Sequence, residues 1–480
     1  MPDRTLIIVS DLHLGGAPAS AGHPGFQMCP VESRRRLVAL VERCGKRGDE
    51  LVIAGDFIDF LAEERPGSGF AAFREDPEEA VACLWAAMAH ADEPLAPGPG
   101  VFGALAAFVK SGGALTLLLG NHDLELCVPP VHQALVQALT GGAPARLTFL
   151  YDNQALCVGD LIVEHGNRYD GWNQVMHDGL RRFRSQVSRG EPASFGPPPG
   201  SKLVVRVMND LKQRFPFVDL LKPEEEGVAP ILAALEPKVL SELRHLAPLK
   251  AHAWVLEPKA GGVPRVLSAI AADPERLRDA DQVERAIAAG PESAWAPAPG
   301  LQAVAADKKP QPGALRTVRD LWQIARMAEQ DPWSALHRAL VRQRESFHST
   351  FDPLHEQPRY LEAARRLAGD QPKVVVFGHT HLAKDIPLNP VGGRYLNTGT
   401  WCPVIRLPDR FTDPAHLGDA TVEAALEGMV RDFREGRQDA WVQLRTTFAR
   451  VVVGPDGAIG DAGVFEWDGQ GETPFAGHPA

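Results

Sequence analysis

The chain has 480 residues, enough for one large core with substantial additions, and its apolar fraction of 44% and charged fraction of 23% are ordinary for a globular protein. A formal net charge of −11 argues against a protein that coats nucleic acid, while leaving room for a local basic groove. Six scattered cysteines without a CxxC pair argue against a disulfide framework or a thiolate zinc site, and fit free thiols in a reducing compartment. The sequence shows no h-region of signal type and no apolar run long enough to span a bilayer, so a cytoplasmic protein is expected.

Residues 5–9 are a short β-rich run of the kind buried on both faces of a sheet. Ser10-Asp11-Leu12-His13 follows, so Asp11 and His13 stand just past the strand's carboxyl end. In extended chain, a carboxylate and an imidazole two residues apart can address one spot. Residues 33–47 pattern as an amphipathic helix with Leu37, Leu40, Val41 and Cys44 on one face, broken at Gly48-Asp49. A second strand then runs into Gly55-Asp56, with Asp59 close behind. Helices are expected at 77–90 and 101–111, around a loop at 94–100, the second ended by Gly112-Gly113. A third apolar run ends in Gly120-Asn121-His122-Asp123, and a fourth is followed by His165-Gly166-Asn167. The fifth, at 374–377, closes with Gly378-His379-Thr380-His381.

Alternating helices and strands predict an α/β core, and the carboxyl ends of strands are where such sheets place ligands. Taken singly, each strand end has an ordinary reading: a turn aspartate, a Gly-Asn-His-Asp turn, a hydrogen-bonded histidine. Five strand ends of one build, offering Asp11, His13, Asp56, Asn121, His122, His165, His379 and His381, point jointly to a metal site.

Between the fourth and fifth units lie about two hundred residues, far beyond a connecting loop. They begin with a basic helical stretch carrying Arg181, Arg182, Arg184 and Arg189, then a Pro/Gly-rich loop at 191–200. Helices are expected at 203–215 and 237–247, and at 273–289, opened by Asp273-Pro274. A Pro-rich polar segment at 296–313 precedes helices at 314–330, 333–346 and 360–368. Residues 395–401 read as a strand and turn, 421–434 as a helix, and 446–453 with 464–467 as a hairpin around Pro455-Asp456-Gly457. The last dozen residues are expected to be loose.

Asp-X-His, Gly-Asp-X-X-Asp, Gly-Asn-His-Asp, a later His and Gly-His-X-His, in this order, resemble the calcineurin-like metallophosphoesterase superfamily over residues 1–170 and 370–405. The resemblance implies a β-sandwich flanked by helices, with two divalent metal ions at one edge. It implies one ion on Asp11, His13, Asp56 and His381, and another on Asp56, Asn121, His165 and His379, with Asp56 bridging. His122 would be the catalytic histidine, oriented by Asp123, with Asp59 and Asn167 supporting the ligands. Residues 1–170 and 371–410 would then form the catalytic core, 171–370 a mainly helical insertion and possible lid, and 411–480 a C-terminal extension of helix and hairpin. Mixed nitrogen and oxygen donors suit Mn²⁺, the favoured choice, or Fe or Zn²⁺, rather than Ca²⁺. Two such ions activate a bridging hydroxide and clamp phosphate oxygens, and His122 can serve the leaving group as acid or imidazolium.

The expected activity is hydrolysis of a phosphodiester or diphosphate in a phosphorylated small-molecule or lipid-linked substrate. A phosphomonoesterase or phosphoprotein phosphatase, a nuclease, and a non-catalytic binding scaffold are the alternatives; the sequence gives no oligomeric state. Arg181 and Arg184 share a helical face, read either as solvated or as a lid that grips a substrate phosphate. The insertion and the Asp-Leu-His-Leu and Gly-His-Thr-His motifs also resemble the UDP-2,3-diacylglucosamine diphosphatases, whose insertion caps acyl chains. Those enzymes carry Arg where this chain has His122, and the insertion here is larger and more polar, so the resemblance does not carry that substrate over.

Overall fold

Runs of Val, Ile and Leu too apolar to show a solvent face form the parallel strands β1 (Arg4–Val9), β2 (Glu50–Ala54) and β3 (Leu115–Leu118). The computed structural model describes residues 2–19, 25–214, 220, 222, 327–328, 330–342, 344, 351–405, 407–435, 437 and 440–475. The helices expected at 237–247 and 273–289, the segment 296–313 and most of the helix at 314–330 lie outside the described residues.

Between these strands run α1 (Val31–Arg47), α2 (Pro77–Asp92) and α3 (Val101–Lys110). Next come α4 (Pro129–Thr140), β4 (Leu147–Leu150), β5 (Leu156–Val158) and β6 (Leu161–Val163). The basic stretch is α5 (His177–Ser188), followed by α6 (Pro199–Leu203) and, after one π-turn segment, α7 (Asn209–Arg214). Beyond lie α8 (Pro332–Arg342), α9 (Pro358–Ala368), β7 (Val374–Phe377), β8 (Lys384–Pro387), β9 (Arg394–Asn397) and β10 (Val404–Ile405). The chain closes with α10 (Asp409–Thr412), α11 (Ala420–Arg434), β11 (Val442–Gln443), β12 (Thr447–Val453), β13 (Ile459–Trp467) and β14 (Glu472–Pro474).

Of the two large sheets, one has the order β14-β13-β12-β1-β2-β3-β4 and the other β5-β6-β7-β9-β8, while β10 and β11 pair antiparallel as a separate two-stranded sheet. The two-residue period of a strand explains how they pack. Leu6, Ile8, Val52, Ala54 and Leu118 share a core with Leu161, Val163, Val374, Val376 and Leu396 of the second sheet. The alternate residues, Ile7, Val9, Leu51, Ile53, Leu115 and Leu117, pack with the apolar faces of α1 to α4. On the far side Val375, Phe377 and Tyr395 pack against Tyr360, Ala363 and Ala364 of α9. The result is the expected α/β arrangement, a β-sandwich flanked by helices.

Two compact units divide the chain. The first takes residues 1–222, 348–406 and 436–480, and contains both sheets. The second takes 223–347 and 407–435. Within it α8 and α11 bury Leu336, Leu340, Leu426 and Val430, and Ser334 Oγ bonds to Glu423 Oε1 at 2.7 Å. The last residues are not all loose: β14 pairs antiparallel with β13, carrying Thr473 opposite Glu466. Among the described residues, no helix is long and apolar enough to cross a membrane.

Candidate metal centre

Neighbouring parallel strands end side by side, and here the ends carry the polar residues. β1 and β2 pair in parallel, so Asp11 and Asp56 emerge together; β3 pairs with β2 and brings Asn121 and His122. In the other sheet β6 and β7 pair in parallel, which sets His165 beside His379 and His381. The backbone then turns abruptly. Asp11, His13, Asp56, His379 and His381 all take positive φ, from 41° to 68°, a region that non-glycine residues rarely adopt. Such conformations persist where the surroundings over-determine them, and they concentrate at functional sites. Glycine is needed beside them for close approach: a Cβ on Gly120 would fall 2.1 Å from Asp56 Oδ1, and one on Gly378 would fall 2.5 Å from Asp11 Oδ2.

Three groups of side chains converge: Asp11, His13 and His381; His13, Asp56 and His122; and Asp56, His165 and His379. Within each, the possible donor atoms lie within 4.8 Å of one another. His13 Nε2 and His381 Nε2 are 3.0 Å apart, and His381 Nε2 is 3.3 Å from Asp11 Oδ1. Asp56 Oδ2 is 3.2 Å from His165 Nε2 and 3.9 Å from His13 Nε2, so this carboxylate stands between the two histidine clusters. His165 Nδ1 faces the Ala54 carbonyl at 2.9 Å, which makes it the N–H donor and turns the Nε2 lone pair inward.

The donor set fits cations. Asp11 Oδ1, Asn121 Oδ1 and His165 Nε2 are buried and make no hydrogen bond among the described residues. Buried polar atoms are normally satisfied, and three orphans facing one cluster of imidazoles and carboxylates mark a place for something positive. Burial opposes ionisation of Asp56, but His165, His122 and His13 overcome it and hold the carboxylate well below its usual range. Burial opposes charge on His165 as well, and there Asp56 prevails, raising the imidazole to about 10. That proton and a cation compete for the same lone pair. Burial, reinforced by Lys222, pushes His381 down to about 4, keeping it neutral as a ligand must be.

The expected partnership of His122 with Asp123 needs correcting. His122 Nδ1 faces Asp59 Oδ1 at 3.1 Å, and the other oxygen of Asp59 faces His13 Nδ1 at 3.2 Å. Asp123 instead accepts the backbone N–H groups of Phe57 at 2.8 Å and Gly120 at 2.7 Å, tying the second and third strand ends together. The contacts of Arg181 and Arg184 do not favour the lid reading. Arg181 lies on the surface, paired with Asp152 at 3.1 Å and Asp178 at 2.9 Å. Arg184 donates to the Cys127 carbonyl at 2.9 Å and covers the Tyr151 ring at 3.9 Å, so its guanidinium is already engaged. Asn167 supports the site through the Asn173 carbonyl, to which its Nδ2 donates at 2.9 Å.

One residue at the site was not singled out by sequence reasoning. Asp170 Oδ2 stands 3.0 Å from His379 Nε2. The only sequence signal was its closeness to His165, in the run Gly166-Asn167-Arg168-Tyr169-Asp170.

A family model for calcineurin-like phosphoesterases matches residues 4–206. The matched span contains Asp11, His13, Asp56, Asn121, His122 and His165; His379 and His381 lie beyond it and reach the cluster through the pairing of β7 with β6. Comparison with curated proteins returned no match.

Proposed function

We propose that this chain, which belongs to the calcineurin-like metallophosphoesterases and so is a phosphoric ester hydrolase, cleaves a phosphodiester or diphosphate bond. The observation that carries this reading is the setting of His122. Its ring is grouped with His13 and Asp56, and with Nδ1 committed to Asp59, Nε2 is the atom left for a substrate. Burial opposes charge on the ring, yet Asp59 and Asp56 raise it to about 9, which favours the protonated form. An alkyl diester expels an alkoxide, a poor leaving group that gains most from such a donor.

Asp11, His13, Asp56 and His381 would hold one divalent ion, and Asp56, Asn121, His165 and His379 the other. When bound, the ions supply an activated water and electrostatic contacts to the phosphate oxygens, and the mixed donors favour Mn²⁺, with Fe or Zn²⁺ as alternatives. The protein's own share is to fix donors before substrate arrives: Asp59 aligns His13 and His122 at once, and the Ala54 carbonyl sets the tautomer of His165. The buried lysines Lys212 and Lys222 are near enough for their charge to oppose protonation of His122 and His381. The substrate expected there is a phosphorylated small molecule or a lipid-linked phosphate. Buried thiols at Cys29, Cys44, Cys83, Cys127 and Cys402 are free, which suits a cytoplasmic enzyme.

The test is His122→Ala. It should retain its metals and lose kcat by roughly 10²–10⁴-fold. The loss should be larger on an alkyl diester than on a nitrophenyl diester, whose leaving group needs little protonation. Equal losses on the two would argue against the leaving-group role.

A further inference from the structure

We propose that Asp170, acting with Asn173, is the positioning residue of the second metal site, aligning two of its ligands from one carboxylate. The proposal rests on the reading that Asn121, His165 and His379 face a common ion.

His379 has a backbone φ of 68° and an N–H held by Asp11 Oδ2 at 2.8 Å, which fixes its Cα but not which ring nitrogen faces the cluster. Asp170 Oδ2 supplies the missing constraint: it faces Nε2 at 3.0 Å, which leaves Nδ1 as the ring atom available to an ion. The same oxygen accepts from Asn173 Nδ2 at 2.7 Å. Asn173 in turn offers Oδ1 to Asn121 Nδ2 at 3.4 Å, so the Asn121 amide is held by its nitrogen and presents its orphaned oxygen. One chain of contacts therefore runs from Asp170 directly to His379 and through Asn173 to Asn121.

The hub is itself anchored. Asp170 Oδ1 accepts the Trp172 N–H at 2.9 Å and stands 3.6 Å from Arg359 Nη1 on α9. Gly200 closes on the other side: its N–H bonds to the Trp172 carbonyl at 2.8 Å, and a Cβ there would fall 2.1 Å from Asn173 Oδ1. A carboxylate behind a ligating imidazole fixes its tautomer and raises its basicity, and losing such a partner typically costs about 10–100-fold in metal affinity.

The experiment is calorimetric titration of chelator-stripped protein with Mn²⁺, alongside the melting temperature of the metal-free form. Asp170→Asn should weaken one binding event by about 10–100-fold, leave the other unchanged, and leave the metal-free melting temperature near wild type. Arg359→Ala and Asn173→Ala should weaken the same event less, and they decide the matter if Asp170→Asn does not fold. His379→Ala serves as the control that must abolish that event. If His379→Ala abolishes it while none of the three variants weakens it, the positioning role is wrong although the site reading stands. If His379→Ala changes neither event, the site reading fails and takes the proposal with it. Equal weakening of both events with a lowered melting temperature would show Asp170 to be a structural turn residue and overturn the assignment.

Discussion

The Oδ1 of Asp59 lies 3.1 Å from the Nδ1 of His122, although the residue next to His122 in sequence is another aspartate. Asp59 also caps its own short turn by accepting the Leu61 N–H at 3.1 Å, so its carboxylate is rigidly placed. Asp59→Asn should therefore lower kcat by about 10²-fold or more. Burial works against the charge on His122 and the carboxylate sustains it. Removing that carboxylate lowers the pKa, so the alkaline limb of the kcat profile, where the acid loses its proton, should move to lower pH. Asp123→Asn should leave that limb in place and lower the melting temperature, because an amide cannot accept both the Phe57 and Gly120 N–H groups. Identical pH profiles for the two variants would contradict the division of roles.

The residues of the cluster were legible in the sequence because each closes a strand whose apolar run is unmistakable, and topology brings them together. The partner of His122 was not, since adjacency in sequence says nothing about which oxygen a ring nitrogen meets after a turn. The helix α4 has no counterpart among the expected elements; it opens on Pro129-Pro130, and proline is favoured in the first turn of a helix. Neither β4 nor β5 announces itself: both are short edge strands with partly exposed side chains. The spacing of Arg181 and Arg184 was read correctly as one helical face, but periodicity does not say what that face meets.

What it meets yields a prediction. Arg181→Ala should change KM for neither a diphosphate nor a nitrophenyl diester, because its ion pairs are on the surface. Arg184→Ala loses a hydrogen bond and a cation–π contact, and should cost about 1 kcal/mol of stability without altering KM. A rise in KM confined to the diphosphate, measured by steady-state kinetics, would restore the lid reading.

Glu125 is buried at the end of the third strand-end turn, accepts the Arg74 N–H at 2.9 Å, and is pushed up by burial to about 8 from an ordinary 4.5. A carboxyl raised in the fold is protonated there while the unfolded chain ionises, so its contribution is fully present below about 4.5 and is lost as pH climbs towards 8. Glu125→Gln keeps an acceptor for Arg74 and has no proton to lose. In denaturant titrations of metal-free protein, the variant should gain on wild type between about pH 5 and about pH 8, with a slope no steeper than about 1.4 kcal/mol per unit. A stability difference independent of pH would mean that the carboxyl is ionised in the fold throughout.

The central claim is that two cations held around Asp56 make this fold a catalyst. Chelator-stripped enzyme titrated with Mn²⁺, with turnover of bis-nitrophenyl phosphate followed at each addition, tests it most directly. The account predicts no turnover in the stripped protein, activity that saturates at two ions per chain, and loss of both ions' affinity and of activity in Asp56→Asn. Turnover in excess chelator, or saturation at a single ion that Asp56→Asn leaves undisturbed, would contradict it.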